Sequence, residues 1–153
     1  MVLLSDLLSP DQVKVPLVAT EKDDVLRELV DTLVAARCAD DADEVLAAVR
    51  ERESVLSTGI GNGIAIPHAK SNACDRLTLV AGSTREPIEF EALDGEPVQL
   101  LFLLVGPERA AGDHIKALGE VSRLVRKPEL RQRLVDARDS QEFLQVLREA
   151  SAA

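Results

Sequence analysis

The chain has 153 residues, a formal net charge of −9 and a pI near 4.7. Such a length fits one domain, 1–153, with a real core. The acidic balance repels a phosphate backbone, and with no Trp or Tyr and only 2% aromatics there is little to stack bases on. Nucleic acid is therefore not an expected partner. An acidic body suits basic partner surfaces or simply keeps the chain soluble. With 46% hydrophobic residues the chain folds, and its core must be built from Leu, Val, Ile and Ala. The two cysteines, Cys38 and Cys74, form no CxxC or His–Cys cluster, so no structural metal is expected. The N-terminus lacks the basic and long apolar regions of a signal peptide, and the longest apolar run, Leu100 to Val105, is too short to insert in a membrane. A cytoplasmic protein with reduced thiols is the expectation.

Val2 to Leu8 reads as a short helix ended near Pro10. Val13 to Leu17 alternates as a strand, and Pro16 marks it as an edge. Thr20 is the expected N-cap of a helix running to about Arg37, with Val25, Leu26, Leu29, Val30, Leu33 and Val34 as its apolar stripe. Asp41 to Glu51 forms a second helix with Val45, Leu46 and Val49 inward. Ile64–Ile66 is a short strand, Leu77–Thr84 a longer one, and Ile88–Phe90 another short one before a turn at Asp94-Gly95. Val98 to Val105 is nearly all apolar and reads as a central strand buried on both faces. A helix beginning at Asp113 presents Ile115, Leu118, Val121, Leu124 and Val125. Pro128 opens another at its first position, and Ser140 caps the last, through Leu147. Strands mixed with helices throughout predict an α/β fold: a single domain with a mixed β-sheet flanked by helices.

The chemistry concentrates in Arg52 to Lys70, RESVLSTGIGNGIAIPHAK. His68, one of two histidines, follows Pro67 and the apolar Ile64 and Ile66. Histidine accepts and releases charged groups near neutral pH. A lone histidine is more often an idle surface group, but the stiff apolar segment points to an imidazole presented to another molecule. The loop Gly59–Gly63 could turn backbone N–H groups toward an anion. Its glycines lack the spacing of a dinucleotide site, and no GK[ST] follows, so it is no nucleotide loop. His114 lies in the first turn of a helix on the face of Leu118 and Val121. It is either a core-edge histidine or a second imidazole brought beside His68. Arg52 could grip phosphate oxygens, although Arg50 competes with it and either could be a solvated charge. Asp113 could orient an imidazole or only cap its helix. Ser57 has no neighbouring base to make it a nucleophile.

RE(x)3STGIGNGIAIPHAK and LLFLLVGPERAAGDHIKALGEVSRLV together resemble enzyme IIA of the bacterial sugar phosphotransferase system, mannitol/fructose class. The likeness spans nearly the whole chain, and GIGNGIAIPH looks closest to the nitrogen-regulatory branch. The resemblance implies a mixed sheet flanked by helices. It implies that His68 accepts a phosphoryl group from an HPr-type phosphohistidine protein, with His114 as stabiliser and Arg52 as phosphate ligand, and needs no cofactor or metal. Ser57, Thr58, Gly59, Gly61, Asn62 and Gly63 fall in the motif segment expected to support the site. Gly119 is a mild departure that weakens its helix.

Three functions compete. The chain is a regulator switched by phosphorylation, or a sugar-specific (fructose or mannitol) IIA relaying phosphate to a IIB domain, or a non-catalytic interaction domain. A chain of this size is expected to stand alone, without an attached IIB or membrane IIC domain, and that favours regulation of target proteins.

Overall fold

The computed structural model describes residues 4–152. In chain order it runs through two 3₁₀ turns (Leu4–Leu7 and Pro10–Gln12), strand β1 (Val13–Leu17), helices α1 (Lys22–Ala35) and α2 (Ala42–Val55), and strands β2 (Gly59–Gly61), β3 (Ile64–Ala65), β4 (His68–Lys70), β5 (Thr78–Ile88) and β6 (Val98–Gly106). A 3₁₀ turn (Glu108–Ala110) leads into α3 (Ala111–Val125), α4 (Pro128–Asp136) and α5 (Ser140–Ala152). This is the expected single α/β domain with a mixed sheet.

β6 is the centre of the sheet. β5 pairs with it antiparallel, and β1 lies beyond β5 in parallel. Along its other side run β3 and then β4, both parallel to it, with β2 outermost on β3. Side chains alternate across a strand, so the apolar run of β6 feeds two cores. Leu100, Phe102 and Leu104 pack with α3, α4 and α5; Leu101, Leu103 and Val105 pack with α1 and α2. A one-residue slip would exchange these sets between the two layers, which fixes the register firmly.

The ends of the helices depart from the sequence expectations in instructive ways. Thr20 is not the cap of α1. Glu21 occupies that position without a side-chain bond, and the preceding chain is held instead by Glu28, which accepts from the N–H groups of Val18 and Ala19. α1 stops in a Schellman turn: Arg37 takes φ 62°, its N–H donates to Val34 O, and that of Cys38 donates to Leu33 O. α2 is capped by Asp41, as its bond from Glu44 N shows, but continues one turn past Glu51 and so carries Arg52. Asp139, not Ser140, caps α5, accepting from Glu142 N; the Ser140 hydroxyl accepts from Val15 N on β1. Ile88 belongs to β5 rather than to a separate strand, beyond a register shift after Ser83. The first predicted helix is only a 3₁₀ turn, and its Val2 and Leu3 lie outside the described residues. Ile115 is 71% exposed, because the buried arc of α3 is centred on His114, Ala117 and Val121.

Two glycines test this packing. A Cβ on Gly82 would lie 2.3 Å from Lys14 O, whereas one on Gly119 would meet nothing within 4 Å. Gly82→Ala should therefore cost about 1–3 kcal/mol, and Gly119→Ala in mid-helix should add about 0.5–1 kcal/mol. Urea denaturation of the two variants checks both signs.

Candidate functional site

His68 opens β4, where it pairs with Leu104 of β6. Leu104 faces the α3 layer, so the imidazole projects to the same side. β3 and β4 use one side of β6 in succession, and the break between them falls at Ile66-Pro67. There Leu104 N–H donates to Pro67 O. Proline offers no N–H, and the chain turns enough for His68 Nδ1 to reach Ile66 O at 2.8 Å. A carbonyl can only accept, so Nδ1 carries the proton. In the neutral ring, Nε2 is left with the lone pair.

His114, in the first turn of α3, is only 4% exposed. Its ring stands edge-on to that of His68, with centroids 5.7 Å apart and planes at 65°. Burial first, then the charge of His68 and that of Lys70, push its pKa down from 6.5 to about 4. Near neutral pH it is therefore an uncharged hydrogen-bonding group rather than a cation.

The two imidazoles share a cleft of about 530 Å³ between the last turns of α2 and the start of α3. Arg52 and Lys70 give it positive charge, Glu51 a carboxylate, and Val55, Ile115 and Leu118 an apolar rim. Arg52 Nη1 donates to Leu56 O at 2.8 Å, which caps its own helix and holds the guanidinium beside the cleft. Arg50, its rival in the sequence, faces away and is paired with Asp23. Asp113 is exposed and is not among the residues lining the cleft. Lys70 was missed by sequence reasoning. Its signal was the period-2 alternation that puts it two residues from His68 on the same strand face.

The glycine segment is placed differently from the anion loop its composition pointed to. It folds as a hairpin, β2 to β3, turned by Asn62 (φ 58°) and Gly63 (φ 79°). Its amides meet the protein's own groups: Gly59 N donates to Ser57 Oγ, and Asn62 N to the Asp94 carboxylate. Ser57 Oγ donates in turn to Phe90 O, and buried Thr58 is held by Glu53. None of Ser57, Thr58, Gly59, Gly61, Asn62 and Gly63 lines the cleft. No group of three or more His, Cys, Asp or Glu able to hold a metal occurs among the described residues. No described helix is long and apolar enough to cross a membrane.

The lowered pKa of His114 has a consequence for stability. The unfolded chain takes up this proton first, at about 6.5, so the stabilisation is fully present above that pH and is lost as pH falls toward 4. The urea midpoint of the unaltered protein should drop across this window more steeply than that of His114→Gln. Parallel profiles would contradict the buried neutral state.

Comparison with known proteins identifies the family of the chain. The family model "Phosphoenolpyruvate-dependent sugar phosphotransferase system, EIIA 2" matches residues 6–150. The nitrogen regulatory protein of Bradyrhizobium diazoefficiens is 34% identical over 144 residues, 94% of each chain. The PTS system fructose-specific EIIABC component of Bacillus subtilis is 33% identical over 144 residues, which are 94% of this chain but only 23% of that longer protein. The crystal structure of nitrogen regulatory protein IIA-Ntr from Neisseria meningitidis superposes with a TM-score of 0.86 at 28% identity, covering 94% of this chain and 97% of that one. The match runs through both histidine-bearing segments and nearly the full length, and the chain belongs to the EIIA 2 family of the phosphoenolpyruvate-dependent sugar phosphotransferase system, a family of phosphotransfer components.

Proposed function

We propose that His68 is the phosphoryl acceptor of this chain, taking the group from the phosphohistidine of an HPr-type carrier, and that its phosphorylation state regulates other proteins. The observation that carries the reading is the 2.8 Å contact of His68 Nδ1 with Ile66 O, which leaves Nε2 as the nucleophile beside a second, neutral imidazole. The Nε2 lone pair forms the new N–P bond as the donor's N–P bond breaks, and the electron pair of that bond returns to the donor ring. The His68 ring gains positive character in the step, and the Ile66 carbonyl stabilises it through Nδ1–H.

The transferring group spreads negative charge over its equatorial oxygens in a loose transition state, so catalysis is mostly positioning and electrostatics. Arg52 and Lys70 supply cations in the cleft. His114, uncharged, donates a hydrogen bond without repelling an incoming cationic side chain. The exposed rim of Val55 and Ile115 gives a carrier apolar surface to cover, which excludes water and slows hydrolysis. Two imidazoles exchange the group at little net cost, so the step calls for no cofactor. A cytoplasmic address goes with such a donor.

Likeness to the Bradyrhizobium nitrogen regulatory protein along 94% of both chains supports the regulatory reading. The comparable identity to the fructose-specific EIIABC component supports a second one, in which the phosphate passes on to a sugar IIB domain. Incubation with a phosphorylated HPr-type carrier should place an acid-labile phosphoryl group on the protein and none on His68→Ala; a label that persists in that variant defeats the assignment. His114→Ala should still be labelled, but on the order of 10²-fold more slowly, as when an oxyanion-stabilising donor is removed. Presenting the labelled protein to purified fructose-type and mannitol-type IIB domains separates the two readings, since only the relay transfers its phosphate onward.

A further inference from the structure

We infer that Glu53 is a positioning residue for His68, acting through Thr58 and Ile66. Glu53 follows Arg52 in the last full turn of α2, yet it points away from the cleft and is only 7% exposed. Its carboxylate accepts from Thr58 N at 2.9 Å and from Thr58 Oγ1 at 2.6 Å, and it pairs with Lys22 Nζ at 3.0 Å. Thr58 O in turn accepts from Ile66 N at 3.0 Å, and Ile66 O accepts from His68 Nδ1. Four contacts thus run from Glu53, buried and paired with the half-buried Lys22, to the ring nitrogen that sets the tautomer of His68.

The pattern here is a carboxylate gripping both donors of one residue, whose carbonyl then fixes the residue that orients the imidazole. Orientation of a metal-ligating histidine by the groups behind it is worth about ten- to a hundredfold in metal affinity or activity, and the same geometric control applies to an imidazole that must aim one nitrogen. Glu53 also shares one turn of helix with Arg52, so a single carboxylate ties the end of α2, from which the guanidinium reaches the cleft, to Thr58, whose carbonyl holds the segment that leads into β4 and His68. Its carboxylate pairs with Lys22 at the start of α1, whose Nζ also lies over the Phe90 ring at 4.8 Å.

This inference rests on the role given to His68 above, but its primary test does not. In the unphosphorylated protein, ¹⁵N NMR of the ring nitrogens at a pH where His68 is neutral reads the tautomer directly. The unaltered protein should show His68 with the proton on Nδ1. Glu53→Ala and Thr58→Val should each show a mixture of tautomers and transfer phosphate about tenfold more slowly, mainly through kcat with KM for the carrier little changed. Glu53→Gln, which keeps an acceptor for Thr58 N–H, should restore most of both. A His68 tautomer and transfer rate indistinguishable from the unaltered protein in Thr58→Val and in folded Glu53→Ala would overturn the inference. If Glu53→Ala does not fold, Thr58→Val, nearly equal in volume, decides alone. Failure of the carrier to label even the unaltered protein would count against the phosphoryl-acceptor reading and leave the tautomer result standing.

Discussion

The register of β6 is the constraint on which the rest of this structure depends. Its residues from Leu100 to Val105 are all buried, and they alternate between the α3–α5 layer and the α1–α2 layer. Every strand bearing on the site is measured from it: β3 at Leu100 and Leu101, β4 at Leu104 to Gly106. The same strand leads, through Pro107 and one 3₁₀ turn, into α3 and hence to His114. One buried strand therefore sets the position of both imidazoles, one by pairing and the other by connection. At about 1.5–3 kcal/mol for each fully buried apolar side chain, displacing it is far costlier than any hydrogen bond in the cleft.

The cleft shows how an acidic protein presents a locally cationic surface. The net charge is −9, yet Arg52 and Lys70 flank the histidine pair. The nearby arginine Arg50 is turned away into an ion pair with Asp23, and Lys22 is committed to Glu53 and Glu91. Long-range repulsion of anions and short-range attraction for them are thus separated by position. The burial of His114 adds a further distinction, since a neutral imidazole contributes direction without adding charge.

Much of this was legible in the sequence, for identifiable reasons. β6 declared itself by an unbroken apolar run, β1 by alternation with an edge proline, and α4 by Pro128. His68, His114 and Arg52 stand out in the sequence by residue type and position, and the fold brings them to one cleft. What the sequence hid was mostly tertiary. Glu28 replaces Thr20 in holding the start of α1, through amides that precede the helix. Asp139 takes the capping role while Ser140 reaches across to β1, a contact spanning 125 positions. The glycines from 59 to 63 looked like an anion loop because their composition is the same in a tight hairpin, and only pairing with β3 distinguishes the two. Ile115 matched the apolar period of α3 but sits at the edge of its buried arc, so helical periodicity alone set it in the core.

The order of elements around β6 also bears on when the site comes into being. Arg52, His68 and His114 lie on three separate elements, and 62 positions separate the first from the last. β4 can pair only after β6 has been made, and β6 follows it in the chain by nearly thirty residues. Non-local contacts of this kind form late, once the loop-closure entropy has been met. The two rings are therefore neighbours only in a chain whose sheet is complete, and a partly folded or freshly synthesised molecule has separate histidines and no cleft. The imidazole pair is in that sense a local indicator of global folding.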